Sequence, residues 1–224
     1  MAQLRGVIID LDGTLIASND AHARAWVDAL AEHGHRVPFN QVRPLMGMGG
    51  DNLLPTLIGI EKETPAGEAI SKRRKAIFKE RYLKMVAPTP GARALLERMR
   101  AAGLRLVLAT SAAEDELEPL LAVAGVGDLL EQQTSSSDAE SSKPDPDIVR
   151  AALDRLGLRH DEVAMLGDAP YDIQAAGACG IATVALRTGG FSDTDLAGAL
   201  AIYRDPADLL ARYDQSPLAA GALA

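Results

Sequence analysis

The stretch VIIDLDGTLI, residues 7–16, decides the fold of this chain. Its first three residues, 7–9, are consecutive branched apolar side chains, a pattern typical of a parallel strand that is buried on both faces. The apolar run ends in two carboxylates one position apart, Asp10 and Asp12. Two like charges at the end of a buried strand repel each other, so the pair marks a candidate functional site.

The apolar signature of this stretch returns along the chain. It recurs in LRLVLATS (104–111), DEVAMLGDA (161–169), GIATVAL (180–186) and, more weakly, LAIYRD (200–205). Helical patterns accompany these runs in GARALLERMRAAG (91–103), EDELEPLLAVAG (114–125), DPDIVRAALDRLG (145–157) and YDIQAAGACG (171–180). Short strands that alternate with helices of this length predict an α/β fold with a doubly wound parallel sheet.

One section interrupts the alternation and shows only helical patterns. These are NDAHARAWVDALAEHG (19–34), GGDNLLPTLIG (49–59) and PAGEAISKRRKAIFKERYLKM (65–85). We therefore expect a small all-helical cap domain inserted after the first strand. The expected division is a core domain of residues 1–16 and 87–213, a cap domain of 17–86 and a flexible tail of 214–224.

The composition limits the class of partner. The chain has 224 residues, of which 47% are hydrophobic, and a formal net charge of −8. This length suits a large domain with a smaller companion, and the acidic balance argues against binding to nucleic acid or to a membrane surface. The basic run KRRK (72–75) is interpreted as a solvated helix face, because Glu68 and Glu80 lie nearby.

The single cysteine, Cys179, excludes an internal disulfide and favours a reducing compartment. The sequence shows no signal-like start and no apolar run of membrane-spanning length. We therefore expect a cytoplasmic protein. A small-molecule partner and a monomer or weak homodimer are separate expectations.

Polar residues follow the apolar runs, and a lysine lies between two of these groups. In an open α/β sheet the ligand crevice lies beyond the carboxyl ends of the strands, so we expect these residues to converge. Oxygen ligands suit Mg²⁺, and Mg²⁺ with a lysine and hydroxyl groups suits a phosphoryl group. Crowding among the acids also favours protonation of at least one carboxyl. The set consists of Asp10, Asp12, Thr110, Ser111, Lys143, Asp168 and Asp172.

The order of these motifs resembles the haloacid dehalogenase superfamily, and within it the helical-cap branch of phosphoglycolate-phosphatase-like and β-phosphoglucomutase-like enzymes. The resemblance runs from residue 7 to about residue 213. The motifs that carry it are DLDGT (10–14), TS (110–111), KPDPD (143–147) and GDAPYD (167–172). It implies a Rossmann-like core and a Mg²⁺-dependent phosphatase that acts on a small phosphorylated metabolite.

The same resemblance implies a role for each acid of the first motif. Asp10 is expected to be the nucleophile, which forms an aspartyl phosphate, and a metal ligand. Asp12 is expected to be the general acid and base, and to give the metal its backbone carbonyl oxygen.

The later motifs complete the expected site. By the resemblance, Thr110 and the backbone amide of Ser111 hold the phosphoryl oxygens and Lys143 neutralises their charge. Asp168 binds the metal, and Asp172 binds it directly or through water.

The cap segment is less informative. The stretch HARAW resembles HxxAW of this branch, which places His22 at the mouth of the site, although an exposed histidine fits equally well; Trp26 is expected to pack in the core. The loop GMGGD (47–51) and Lys84 carry no readable specificity code. Phosphoglycolate, sugar phosphates and nucleotides remain open as substrates.

Two alternatives to a simple phosphatase remain. Sugar-phosphate mutases of this branch generally have an arginine in the cap loop and a glutamate before the metal-binding aspartate, where this chain has Gly50 and Gly167, so the comparison favours hydrolysis. Receiver domains of two-component signalling combine similar groups on a parallel sheet. The DxDGT motif, the helical insert and the length argue against that phosphoacceptor module.

Overall fold

The computed structural model describes residues 3–219. Within this range the sheet contains six parallel strands. They are β1 (Gly6–Ile9), β2 (Arg105–Ala109), β3 (Gln132–Thr134), β4 (Val163–Gly167), β5 (Ala182–Leu186) and β6 (Ala201–Tyr203). The order across the sheet is β3-β2-β1-β4-β5-β6, with β1 paired in register with both β2 and β4. The strand order therefore reverses beside β1, where a ligand crevice is expected in a doubly wound fold.

The α-helices lie between these strands, in the inserted segment and after β6. They are α1 (Asn19–Glu32), α2 (Phe39–Val42), α3 (Gly50–Ile58), α4 (Pro65–Ile77), α5 (Ala92–Ala101), α6 (Glu114–Ala124), α7 (Asp147–Leu156), α8 (Pro170–Ala178) and α9 (Pro206–Ala211). This architecture confirms the predicted doubly wound α/β fold. No helix in the described range 3–219 has the length and apolar character of a membrane-spanning segment.

Both faces of the sheet are covered, as the branched run of β1 predicts. Ile8 is fully buried in a cluster with residues of α7 and α8. Val7 and Ile9 point to the other face and join a larger cluster that includes α5, α6 and α9. Packing on both faces holds β1 in place in the sheet, and this also positions the acids that follow it.

The structure differs from the sequence prediction in its less apolar elements. Strand β3 has the polar sequence QQT and pairs only with β2 at the sheet edge, so it lacks the apolar signature of the other strands. Helix α9 has no counterpart among the predicted helices. It begins after Asp205, whose side chain accepts the backbone N–H of Asp208. The predicted helix 65–85 is α4 followed by a π-helical turn, Phe78–Tyr82, and a short 3₁₀ turn, Leu83–Met85.

The predicted tail, 214–224, lies partly outside the described residues. In its described part, 214–219, Leu218 is buried against the core. Tyr213 donates from its hydroxyl to the Leu218 carbonyl oxygen at 3.4 Å. This part of the segment is therefore packed on the core, because it offers an apolar side chain to the larger hydrophobic cluster.

The helical segment 17–86, here called the cap, is joined to the sheet by two adjacent stretches of chain. The Ala17 N–H donates to the carbonyl oxygen of Ala87 at 2.8 Å, and the Thr89 N–H donates to that of Leu15 at 2.9 Å. The outgoing and returning stretches are thus hydrogen-bonded to each other beside the end of β1.

Candidate active site

A buried lysine links the end of β1 to the start of α8. Lys143 lies on the loop before α7 and is fully buried. Its Nζ donates hydrogen bonds to Asp10 Oδ1, to Asp172 Oδ1 at 2.7 Å and to the carbonyl oxygen of Ala109 at 3.3 Å. Burial opposes the charged form, but the two carboxylates raise the pKa of Lys143 above its usual range. The ammonium group is therefore held charged beside Asp10.

Three carboxylates meet beyond the ends of β1 and β4. Asp10, Asp168 and Asp172 each contribute one oxygen to a group in which these atoms lie within 4.8 Å of one another. The Thr14 hydroxyl donates to Asp168 Oδ1 at 3.1 Å, and the Asn19 amide donates to Asp168 Oδ2 at 2.9 Å. All five residues are buried. The arrangement is a preformed oxygen-rich cluster.

This cluster is short of positive charge. Burial is the largest influence on Asp10 and raises its pKa from 3.8 to about 7, although Lys143 acts in the opposite direction. Burial, and then the charges of Asp10 and Asp172, raise the pKa of Asp168 well above its usual range. A hard divalent cation relieves such repulsion by binding the ionised carboxylates, and oxygen-only ligands suit Mg²⁺. The donor set therefore fits the expected metal.

A glycine lets the first motif approach this cluster. Gly13 has a φ of +85°, a left-handed conformation that other residues rarely adopt. A Cβ atom at this position would lie 2.0 Å from Asp168 Oδ2. Only a residue without a side chain allows the turn after Asp12 to pass so close to Asp168.

The second acid of the motif has separate partners. Ser18 donates from Oγ to Asp12 Oδ1, and His22 Nε2 lies 3.0 Å from the same oxygen. His22 is stacked on Phe78 with a ring-centroid distance of 4.0 Å. Burial opposes ionisation, but the interactions with His22 and Ser18 hold the pKa of Asp12 below its usual range. Burial and crowding therefore raise the pKa values of Asp10 and Asp168, whereas Asp12 has its own hydrogen bonds, which favour its ionised form.

Both carboxylate oxygens of Asp172 accept hydrogen bonds from the protein. One oxygen, Oδ1, accepts from Lys143, and the other accepts the backbone N–H groups of Asp168 and Ala169 at 3.1 Å each. A Cβ atom at Gly167 would lie 2.5 Å from the Asp172 carboxyl carbon. The position before Asp168 therefore has no room for a side chain while Asp172 keeps this conformation.

The hydroxyl residues of the second motif lie at the end of β2. Thr110 is buried, and its Oγ1 accepts the backbone N–H of Ala112 at 3.0 Å. Ser111 donates from Oγ to the carbonyl oxygen of Gly47 in the cap at 3.5 Å. Both residues line a cavity that also contains Asp10.

This cavity lies between the sheet and the cap and has a volume of about 60 Å³. Its core side is lined by Asp10, Asp12, Thr110, Ser111, Ala112 and Glu116, and its cap side by His22, Trp26, Arg74 and the loop 46–50. The structure supports the placement of His22 at the site, since its ring is buried rather than exposed. Trp26 both packs in the core cluster and lines the cavity, whereas Lys84 is exposed and is not part of the lining.

The interpretation of KRRK (72–75) as a solvated face is wrong for one of its residues. Arg74 on α4 turns into the cavity, and only 12% of its side chain is exposed. Its Nη1 donates to Glu116 Oε1 on α6 at 2.7 Å. A signal was present in the sequence, because Arg74 lies four residues from both Ile70 and Phe78, which are buried on the same helical face.

The glycine-rich cap loop contacts the segment that carries the lysine. Asp51 Oδ2 accepts the backbone N–H of Ser142 at 2.8 Å, and the Asn52 amide donates to the Ser142 carbonyl oxygen at 3.0 Å. The Gly49 N–H donates to the carbonyl oxygen of Lys143 at 3.4 Å. The loop thus supports the backbone of Lys143 from the cap side.

Comparisons with known proteins agree with this geometry. A family model described as haloacid dehalogenase-like hydrolase matches residues 4–180. A phosphoglycolate phosphatase of Rhodospirillum rubrum is 33% identical over 92% of this chain and 89% of its own length. The pyrophosphatase PpaX of Bacillus velezensis is 30% identical over 81% of this chain and 82% of its own length. A hydrolase crystal structure from Pseudomonas syringae superposes with a TM-score of 0.87 at 32% identity, covering 94% of this chain and 98% of that chain.

The fold and the site define an enzyme, a phosphoric monoester hydrolase. More particularly, the chain belongs to the haloacid dehalogenase-like hydrolase family. The superfamily resemblance of the sequence motifs is thereby confirmed.

Proposed function

We propose that the protein is a Mg²⁺-dependent phosphatase that hydrolyses a small phosphorylated metabolite through an aspartyl phosphate on Asp10. The observation that carries the proposal is that the two acids of the first motif have different surroundings. Asp10 lies in the carboxylate cluster beside Lys143, whereas Asp12 faces the cap with its own partners. Such an arrangement supports one carboxylate as nucleophile and the other as proton carrier.

The metal is proposed to bind Asp10, Asp168 and the backbone carbonyl oxygen of Asp12. When bound, Mg²⁺ supplies positive charge that offsets the carboxylates and the phosphoryl oxygens. Asp172 has both oxygens engaged by protein donors, which supports a role in holding Lys143, with any contact to the metal made through water.

In the first step an Asp10 carboxylate oxygen attacks phosphorus, and the bond between phosphorus and the ester oxygen breaks. The leaving oxygen takes a proton from Asp12, which therefore has to enter the step protonated. Lys143 and Thr110, together with the Ser111 amide, hold the negative phosphoryl oxygens. The burial of Lys143 and Thr110 supports this role because electrostatic interactions are stronger where water is excluded.

In the second step a water molecule attacks the phosphorus of the aspartyl phosphate. Asp12 accepts a proton from this water, the bond between phosphorus and the Asp10 oxygen breaks, and inorganic phosphate leaves. Partners that favour the anionic form of Asp12 suit this half of the cycle, in which the residue acts as a base.

The cap is proposed to move relative to the core during this cycle. The division into a core of 1–16 and 87–213 and a cap of 17–86 stays a proposal, with hinges at 15–18 and 86–91. A cavity of about 60 Å³ leaves little room for a metabolite, so substrate entry requires the cap and core to separate. Closure then excludes bulk water from phosphoryl transfer.

Hydrolysis is favoured over the mutase alternative by two small residues. A Cβ atom at Gly50 would lie 3.2 Å from Trp26, and one at Gly167 would lie 2.5 Å from Asp172. Neither position supplies the charged group that the mutases generally have there. Phosphoglycolate enters as a candidate substrate from the name of the relative that is 33% identical.

The direct test is phosphate release from nitrophenyl phosphate in the presence of Mg²⁺, followed by a screen of phosphorylated metabolites. We expect turnover that stops in excess chelator and returns when Mg²⁺ is added. A phosphoacceptor signalling module would take up phosphate without repeated turnover. Full activity in chelator would refute the metal dependence, and absence of turnover on every ester would refute the phosphatase proposal.

A further inference from the structure

On the basis of the proposed function, we infer that Arg74 and Glu116 recognise the leaving group and select phosphate esters whose leaving group carries a hydroxyl and no charge. The two residues form one ion pair across the boundary between the cap and the core. This assigns the substrate class to side chains outside the sequence motifs.

The location of the pair supports a contact with substrate. Arg74 comes from α4 of the cap, and Glu116 comes from the first turn of α6 in the core. Both line the cavity that contains Asp10 and Asp12. Because the phosphoryl group has to lie against Asp10, the leaving group has to extend toward the cap side of this cavity.

The pair leaves one donor and one acceptor unused. Arg74 and Glu116 are joined through Nη1 and Oε1 at 2.7 Å. Arg74 Nε and Glu116 Oε2 are buried, and within the described residues neither has a hydrogen-bond partner. A buried polar atom without a partner is costly, so both atoms favour a ligand that satisfies them.

A hydroxyl group matches this pair of atoms. Hydroxyl groups both donate and accept, so one hydroxyl of a leaving group can donate to Glu116 Oε2 and another can accept from Arg74 Nε. The ion pair remains intact in such a complex. Each hydroxyl of a neutral leaving group can therefore satisfy one of these buried atoms without a separation of charge.

A carboxylate on the leaving group does not match. The charges of Arg74 and Glu116 cancel, and Asp12 adds a negative charge to the same cavity. A carboxylate could reach the guanidinium only by displacing Glu116, which would leave a buried anion without its partner. The pair therefore disfavours a second anion, and phosphoglycolate is expected to be a poorer substrate than its neutral analogue.

The arginine has little freedom to turn away. Its guanidinium carbon lies 5.1 Å from the ring centroid of Trp26, which lines the same cavity. The adjacent pair, Lys75 and Asp115, also joins cap to core at 2.7 Å but is largely exposed and does not line the cavity. Asp115 is therefore a matched control for an effect that arises only from holding the cap in place.

The experiment compares hydroxyethyl phosphate with phosphoglycolate. The first ester carries a hydroxymethyl group at the position where the second carries a carboxylate. The parent protein is expected to show a kcat/KM at least about tenfold higher for hydroxyethyl phosphate. Glu116→Gln removes the negative charge and keeps the shape, so it should shift this ratio toward phosphoglycolate by about tenfold. Asp115→Asn should leave the ratio unchanged.

Turnover of nitrophenyl phosphate with Mg²⁺ distinguishes a failure of the phosphatase function from a failure of the proposed substrate class. No turnover of this ester would count against the phosphatase function itself. Turnover of it together with a parent preference for phosphoglycolate would overturn the substrate class. If Glu116→Gln and Asp115→Asn have the same ratio of kcat/KM for the two esters, the substrate class is also overturned. The ion pair of Arg74 and Glu116 would then only hold the cap on the core. The parent ratio needs no variant, so it decides the question even if Glu116→Gln does not fold.

Discussion

The core and cap sides of the cavity are built in different ways. On the core side, Asp10, Lys143 and Asp172 hold one another and are almost completely buried. On the cap side, Arg74 leaves its Nε without a partner in the described structure, and the loop 46–50 contributes mainly small and flexible residues. The difference teaches that the ends of the strands provide a rigid site for phosphoryl chemistry. The boundary between cap and core, where Arg74 meets Glu116, provides groups whose hydrogen bonds are completed by substrate.

The largest expected effect is the loss of the nucleophile. Asp10→Asn should reduce turnover below detection on every ester, because the amide is a poor nucleophile and the metal loses a charged ligand. Phosphate release measures the loss, and thermal unfolding with circular dichroism checks that the variant folds. Activity near that of the parent protein in a folded Asp10→Asn variant would refute the assignment of Asp10.

The next effect separates the two acids of the core motif. Asp12→Asn keeps the nucleophile but removes proton transfer, which is typically worth ~10² to 10⁴-fold. The loss should be greatest for alkyl phosphates. With nitrophenyl phosphate, whose leaving group needs no acid, the aspartyl phosphate should accumulate on Asp10.

Borohydride trapping followed by peptide mass analysis would detect that intermediate. If Asp12→Asn hydrolyses both alkyl and nitrophenyl esters at the parent rate, Asp12 is not the proton carrier.

A smaller effect is expected where the cap supports the core. Asp51→Ala removes the acceptor for the Ser142 N–H, so the backbone of Lys143 loses support. We expect kcat to fall by about tenfold, and by the same factor for neutral and anionic esters. Lys75→Gln, which breaks an exposed ion pair between cap and core, is the control and should change little. A loss in Asp51→Ala that depends on the charge of the ester would place Asp51 in substrate recognition instead.

The smallest effect concerns the metal and pH. In the metal-free protein burial raises the pKa of Asp10 from 3.8 to about 7. The folded state therefore holds a proton that the unfolded chain has already lost, and the contribution of this group to stability falls as pH rises through that interval. Mg²⁺ binds the ionised form, so its stabilising effect on Tm should be larger near about pH 8 than near about pH 5.

Calorimetric scans with and without Mg²⁺ at both pH values measure this difference. Asp168→Asn should lose most of the Mg²⁺ effect on Tm. A Tm shift of the same size at both pH values would show that protons and the metal do not compete for this cluster.

The sequence by itself determined the elements with a strong local signal. The branched run of β1 predicts a strand buried on both faces. Asp10 beyond it meets Lys143 and Asp168, and Thr110 lines the same cavity, as the parallel topology requires. The strand β3 was missed because QQT lies at an edge and pairs with one neighbour only, so its register comes from β2 and not from its own apolar pattern.

Only the tertiary structure decided which residues are proposed to select the substrate. Arg74 and Glu116 are 42 positions apart and belong to different helices, one in the cap and one in the core. The spacing of apolar residues along α4 indicates that Arg74 lies on the buried face, but nothing in the sequence indicates that Glu116 is its partner. The meeting of α4 and α6 buries both groups and leaves one donor and one acceptor free, and that pairing exists only when the cap lies on the core.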